Sequence, residues 1–428
     1  MTKLSSRFMD EKTEKVNEIP SHWKVSKLKY LFDNLDYKRI PLSSEERGNM
    51  VNRKYDYYGA SGVIDRVEDY LFDEPLILIG EDGANLYSRS TPLAFVAEGK
   101  YWVNNHAHIL RPKNGNLYFW ANLLESIDYS IYITGSAQPK LTQDALANIQ
   151  LPVPPLVEQE TIWSYLEQKL SNLDHLINSK QDLIVLIEEK RQAIIKEAVT
   201  KGLNANVKMK GSGVEWIDQM PVNWKRGKLS YFSKVRSGGT PDKNNEAYWN
   251  DGNINWMSSG EINKEFVSKV NNKITFEGFN NSNATMLPVN TVMMALNGQG
   301  KTKGKVAVLE IVTTCNQSLA GFITDESRLH YLFLYYYLKS KYRELRGLVG
   351  DGLRDGLTIG LIKSLQIPLP PIKEQKEIAS VLKKQDEEFN ELIKKVSESI
   401  EKLKEYRQSL IYEAVTGKID VRDYEAIQ

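Results

Sequence analysis

LPVPPLVEQETIWSYL (Leu151–Leu166) and IPLPPIKEQKEIASVL (Ile367–Leu382) are one motif written twice, 216 residues apart. The match continues at the same offset, where EKRQAIIKEAVTKG (Glu189–Gly202) returns as KEYRQSLIYEAVTGK (Lys404–Lys418). Any two amphipathic helices share an apolar period. They do not share a P-x-P-P-x-x-E-Q opening and an R-Q-x-x-I-x-E-A-V-T close held in register. The chain therefore carries an internal duplication, and that decides its architecture first. Toward the N-terminus, IPSHWKVSKLKYLF (Ile19–Phe32) returns as MPVNWKRGKLSYFS (Met220–Ser233) at an offset of 201. The two offsets mean that each half is a variable module followed by a repeated segment, with the second module 15 residues longer.

The repeated segments read as long helices. Pro154, Pro155, Pro370 and Pro371 stand just before or in the first turn, and Gly202 and Gly417 follow the last apolar residues, where proline and glycine respectively are favoured. Leu382, Phe389, Val396, Leu403 and Leu410 recur every seven residues, with Leu392, Ile393 and Ile400 between them. This is a coiled-coil seam. Its first copy reads Leu166, Leu173, Lys180, Ile187 and Ile194, with Leu170, Ile177 and Ile184 between. Lys180 breaks the apolar run, as a polar residue that fixes register does. At about 1.5 Å per residue, Leu156 to Val199 makes a helix of about 66 Å, which cannot bury its stripe alone. The expected partner is its own copy, packed antiparallel about a pseudo-twofold axis, with a second face left for other proteins.

The modules lack sustained helical periodicity. DYLFDEPLILIGEDGANLYSRSTPLAFVAEGKYWVNNHAHILRP in the first half and TVMMALNGQGKTKGKVAVLEIVTTCNQSLAGFI in the second share a layout of short apolar runs broken by Gly, Asp and Asn. They read as hairpins with polar tips. Each module closes on an aromatic helix, LYFWANLLESIDYSIY or LHYLFLYYYLKSKYREL. The expected fold class is α+β: two mixed α/β domains separated by two long antiparallel helices. The expected boundaries are an extension at 1–18, a first module at 19–150, a helical spacer at 151–205, a second module at 206–366 and a second helical region at 367–428.

Composition fits a folded soluble protein, with 41% hydrophobic and 26% charged residues in 428. No apolar run is long enough to span a membrane, and the charged start MTKLSSRFMDEKTEKVNE has no signal-peptide core. A single cysteine, Cys315, excludes an internal disulfide. The expected location is the cytoplasm. The 56 basic and 55 acidic residues leave a net charge of +1, so whole-chain charge names no partner. Locally, Lys225, Arg226, Lys228, Lys234, Arg236 and Lys243 face one acid, Asp242. That is a local basic patch, which fits either a solvated surface or a nucleic-acid contact.

Motifs that tempt toward catalysis fall short. NGQGKT (Asn297–Thr302) echoes a phosphate-binding loop, but Ala295 stands where that loop needs its first glycine. A hairpin tip is the better reading, with Lys301, Lys303 and Lys305 placed to meet phosphates. His106 and His108 are two residues apart without a third ligand cluster nearby, so no metal is expected. Cys315 reads as a small buried side chain. Neither Pro-Pro pair follows an Asn or Asp, as an adenine methyltransferase requires. No catalytic residue is assigned.

The paired P-x-P-P-x-x-E-Q helices, the P-x-x-W-K start of each half, S-G-G-T-P (Ser237–Pro241) and G-E-D-G-A-N-L (Gly80–Leu86) together resemble the specificity subunit of type I restriction-modification systems. The resemblance covers nearly the whole chain. It implies two target recognition domains, each reading one half of an asymmetric, interrupted sequence in double-stranded DNA, with the helices as spacer. It also implies two methyltransferase subunits carrying S-adenosylmethionine and two restriction subunits driven by ATP with Mg2+, so that this chain needs no cofactor and no membrane. The first module departs from the second, reading YKRIPLSSEER (Tyr37–Arg47) where S-G-G-T-P would stand.

Base edges are read by Asn, Gln, Arg and Lys, backed by phosphate contacts. The DNA-binding candidates in the first module are Arg53, Tyr57, Tyr58, Asn85, Arg89, Asn105 and His106. In the second they are Thr240, Lys243, Asn297, Gln299, Lys301, Lys303, Asn316 and Gln317. The shared E-Q and R-Q pairs, Glu158, Gln159, Arg191, Gln192, Glu374, Gln375, Arg407 and Gln408, are the partner-binding candidates. The rival reading is a coiled-coil scaffold protein that uses its modules only for non-specific DNA anchoring.

Overall fold

The structure, a computed structural model, describes residues 4–9, 16–135, 138–298, 302–348 and 356–424. Two helices dominate the chain, Leu156–Lys201 and Ile372–Val415. They start after the paired prolines, and Gly202 and Gly417 stop them in the left-handed region, at φ 80° and 74°. The chain divides into two compact units: Met1–Gln181 with Ser397–Gln428, and Asp182–Val396. Each long helix begins in one unit and ends in the other. Among the described residues no helix is long and apolar enough to cross a membrane.

In the first unit, Leu4–Met9 pairs antiparallel with Val16–Pro20, and Lys24–Lys27 with Gln150–Val153. A four-stranded antiparallel sheet follows, ordered Phe32–Asn34, Ala107–Pro112, Leu76–Gly80, Ala94–Ala97. The LILIG run forms its Leu76–Gly80 strand, buried at every position, which explains why no alternation marks it in sequence. The helix Leu117–Glu125, N-capped by Asn116 accepting from Phe119 N, buries Phe119, Trp120, Leu123 and Leu124. At roughly 1.5–3 kcal/mol per large apolar side chain, this face anchors the module. A second sheet holds Gly62–Val67, Tyr55–Gly59, Lys100–Val103 and Phe72–Asp73.

The second unit repeats this plan with additions. Met209–Val214 pairs with Ile217–Pro221, and Lys225–Lys228 with Gln366–Leu369. The main sheet runs Ser233–Ser237, Leu319–Thr324, Val292–Ala295, Val306–Leu309, with Phe266–Val267 as a fifth strand. A three-stranded sheet joins Asn272–Ile274, Ile254–Met257 and Thr314–Cys315. The helix Tyr331–Ser340 buries every residue from Leu332 to Leu338. The fold is mixed α and β, as expected. One feature was not expected: the segment before Ile19 pairs as Met209–Val214 does, so the repeated frame includes residues assigned above to an extension.

Candidate nucleic-acid interface

The E-Q pairs belong to the frame. Trp23 Nε1 donates to Glu158 at 3.1 Å, and Trp224 Nε1 to Glu374 at 3.0 Å. Gln159 donates to Pro154 O at 3.0 Å and accepts from Asn116 N at 3.3 Å. Gln375 donates to Pro370 O at 2.9 Å and accepts from His330 N at 2.9 Å. In both units the motif thus ties the helix start to the module's opening tryptophan and to its aromatic helix. Gln159 and Gln375 are 1% and 0% exposed. As partner-docking side chains they are corrected: an amide buried to this degree and bonded inside its own unit is out of a partner's reach.

The R-Q pairs divide. Arg191 is buried, donating to Asp386 at 2.7 Å, Asn390 at 3.0 Å and Glu265 at 3.3 Å, so it too is corrected from docking residue to internal anchor. Lys339 completes the cluster, 2.9 Å from Asp386 and 3.1 Å from Glu265. Sequence reasoning missed Asp386, although a carboxylate one turn beyond Leu382 on the seam face demands a cation. Arg407 meets Asp174 at 3.1 Å and stays half-exposed, while Gln192 and Gln408 are exposed.

In the first module three backbone bonds gather the candidate loops: Glu81 N to His106 O, Gly83 N to Pro139 O, and Leu141 N to Glu81 O. Asn85 is turned inward, donating to Thr91 O and accepting from Thr91 N and Ser90 Oγ. It braces the loop from behind, 8% exposed, with both ends of its amide engaged. Asn105 and His106 are exposed, and the His106 ring stands 2.8 Å from the Asp82 carboxylate. An open cavity of about 710 Å³ lies beside them, lined by Asp82, Tyr87, Ser88, His106, Gln138 and Pro139 among others. Arg89, left-handed at φ 48°, bonds Glu125 at 3.0 Å. Arg53 pairs with Asp65 on the Tyr55–Val67 hairpin. Tyr58 stacks on Phe95 at 5.9 Å between ring centres. Tyr57 is 1% exposed beneath the Arg47 guanidinium, so it is corrected to a core residue.

In the second module S-G-G-T-P has a steric reason. A Cβ on Gly238 would lie 2.1 Å from Asn316 O, and one on Gly239 2.4 Å from the Asn283 carbonyl carbon. Only glycine allows this approach. Gly239 N bonds Cys315 O at 2.9 Å, which brings Thr240 into hydrogen bonding with Gln317. Lys243, Asn297 and Gln317 are exposed, and Asn316 is half-buried. Gln299 and Lys301 lie outside the described residues. Lys303 is only 4% exposed, and Lys305 donates to Asn263 at 2.6 Å. The hairpin-tip reading is corrected at Lys303, which is buried, while Lys305 stays half-buried. Of the basic stretch, Lys225, Arg226, Lys228, Lys234, Arg236 and Lys243 are all exposed.

His106 and His108 do not converge. His108 is buried with Asp36 (2.6 Å) and Leu141 O (2.7 Å). Asp36, Glu81 and His108 place ligand-type atoms within 4.8 Å of one another. However, Asp36 also accepts from Ile109 N and Gln143 and pairs with Arg39 at 3.5 Å, and Glu81 accepts from Arg39 and Lys140, so Arg39 and Lys140 already balance the two carboxylates. Burial would raise the Asp36 carboxyl, but His108, Ile109 N–H and Arg39 outweigh it and hold it below its ordinary value. Burial pushes the Cys315 thiol up to about 12, which makes it a poor nucleophile.

Comparison with known proteins places this geometry. The family model for the type I restriction modification DNA specificity domain matches residues 20–186 and again 221–402. A putative type I restriction enzyme specificity subunit of Methanocaldococcus jannaschii is 26% identical, over 96% of this chain and 97% of its own length. A putative specificity subunit of Haemophilus influenzae is 25% identical, over 85% and 86%. The fold is similar to a chain in a structure of type I restriction-modification complex assembly (TM-score 0.68, 15% identity, 94% of this chain and all of that one). It is also similar to the HsdS subunit of Thermoanaerobacter tengcongensis (TM-score 0.50, 14% identity, 94% and 98%). With the same family model matching both halves of a duplicated frame, the chain belongs to the type I restriction-modification DNA specificity family.

Proposed function

We propose that this chain is the DNA-reading subunit of a type I restriction-modification complex, with each module reading one half of an asymmetric, interrupted target. The observation that carries this reading is a contrast. The ties that hold each long helix to its module repeat, tryptophan to glutamate and glutamine to proline carbonyl, while the loops presented differ, residues 80–89 and 104–106 in one module and 237–243 and 315–317 in the other. Equal frames with unequal loops suit a symmetric assembly on a non-palindromic sequence. Asn105, His106, Arg89, Arg53 and Tyr58 are the readers proposed for the first module. Thr240, Lys243, Asn297, Asn316 and Gln317 are those for the second, with the undescribed Gln299 and Lys301.

The two long helices are proposed to pair antiparallel as a coiled coil that sets the spacer. Two contacts support this, Arg191 with Asn390 and Arg407 with Asp174, which the 216-residue repeat interconverts. Gln192, Gln408 and the half-exposed Arg407 are the side chains left to dock two methyltransferase subunits. S-adenosylmethionine, and the ATP and Mg2+ used by two restriction subunits, are assigned to those partners. The role proposed for this chain is recognition in the cytoplasm, without bond-making chemistry.

The test is DNA binding by the chain assembled with its methyltransferase partner. The expected result is a preference for target over random duplex of roughly a thousandfold or more, with both affinities falling steeply with salt. Equal affinity for the two would favour the scaffold instead.

A further inference from the structure

Ser21–Tyr30 (SHWKVSKLKY) and Val222–Tyr231 (VNWKRGKLSY) occupy the same place in their respective units, and their exposure agrees position by position. Tryptophan and leucine are buried, Ser26 and Gly227 are half-buried, and the other seven positions are exposed. Packing explains why the buried pair is retained. It does not explain the exposed positions, four of which differ between copies while three are identical: Lys24 and Lys225, Lys27 and Lys228, Tyr30 and Tyr231. Both tyrosines are 65% exposed. Lys27 and Lys228 each stand immediately before the short helical turn that carries the tyrosine. Among the described residues, Lys24, Lys225 and Lys228 make no ion pair, and Lys27 reaches only the neutral Asn148, at 3.5 Å. Neither stretch contains a carboxylate.

Three exposed side chains kept alike in both copies must meet something alike in both places. Bases cannot be that partner, because the two half-sites differ on the reading given above, on which this inference rests. The sugar-phosphate backbone is the same everywhere, and it takes ammonium groups and a phenol hydroxyl as donors. We infer that Lys24, Lys27 and Tyr30, and their copies Lys225, Lys228 and Tyr231, are two matching phosphate clamps that hold DNA without reading it.

The test uses the chain assembled with its methyltransferase partner, with target and random duplexes titrated across a salt series. Each phosphate contact contributes about 0.9 to the slope of log affinity against log salt. Lys24→Gln with Lys27→Gln should therefore flatten the slope by about 2, and so should Lys225→Gln with Lys228→Gln. Target and random DNA should weaken by the same factor, and the methylated sequence should not change. Tyr30→Phe should weaken both duplexes alike and leave the slope unaltered. An unchanged slope in the lysine variants overturns the inference, and so does a change of sequence at one half-site, which would make these residues readers. Intact DNA contact with weakened subunit assembly also overturns it, by assigning the patch to an acidic face of the methyltransferase. Loss of target preference in the unaltered complex would instead sink the underlying reading.

Discussion

The Arg191 guanidinium donates to the Asn390 side-chain oxygen at 3.0 Å, and one repeat away Arg407 meets Asp174 at 3.1 Å. The two contacts are the same contact in duplicate, but their surroundings differ. Arg191 is also bound by Asp386, both side chains being 6% exposed, whereas Arg407 and Asp174 are 38% and 52% exposed. Stranding a buried charge costs about 3–5 kcal/mol, and Lys339, 2.9 Å from Asp386, keeps the loss on removing Arg191 below that ceiling. An exposed pair contributes about 1 kcal/mol or less. Arg191→Ala should therefore destabilise far more than Arg407→Ala in urea unfolding. Equal losses would show that Asp386 is not held as described.

The glycines that end the long helices differ in the same way. Both are left-handed, so alanine costs about 1 kcal/mol at either. At Gly417 the added Cβ would also lie 2.5 Å from Pro20, against 3.1 Å from the flexible Glu374 at Gly202. Gly417→Ala should cost about 2–3 kcal/mol in all and Gly202→Ala nearer 1. A reversed order of unfolding midpoints would contradict the packing of the chain's end against its opening turn.

Acid should act through Asp36. Its carboxyl is held below the ordinary value, so the unfolded chain binds the proton more readily. The stabilisation is present above the unfolded value of about 3.9 and is lost as pH falls through the folded value. Asp36→Asn should therefore be less stable at neutral pH and lose less on acidification from about pH 5 to 3. Parallel stability curves for the two proteins would refute this.

Much of the frame was legible because its signals are local. Heptad spacing, paired prolines and terminal glycines located both helices; Leu382 and Leu410 are buried in the hydrophobic core of their own units, Val396 and Ile400 are buried as well, and Leu392 stays 44% exposed. The loops were less legible because their contacts are distant in sequence. Nothing near Lys303 shows that it turns inward, and nothing near Asn85 announces its bonds to Ser90 and Thr91. The E-Q motif misled for another reason. A repeated polar pair invites a docking role, yet Glu158 and Gln159 serve Trp23 and the aromatic helix of their own unit.

Single readers should act on single half-sites. His106→Ala or Asn105→Ala should cost about 1–3 kcal/mol of discrimination in the half read by the first module, and Gln317→Ala a similar amount in the other. Methylation rates on duplexes mutated in one half at a time check this. A uniform loss across both halves would mark these residues as structural.

Module exchange tests the central claim most directly. Residues 20–150 are replaced by the corresponding module of another specificity subunit, the complex is assembled, and the methylated adenines are mapped. One half of the recognised sequence should change, with the other half and the spacer retained. A change in both halves, or in neither, would contradict two independent readers on one frame.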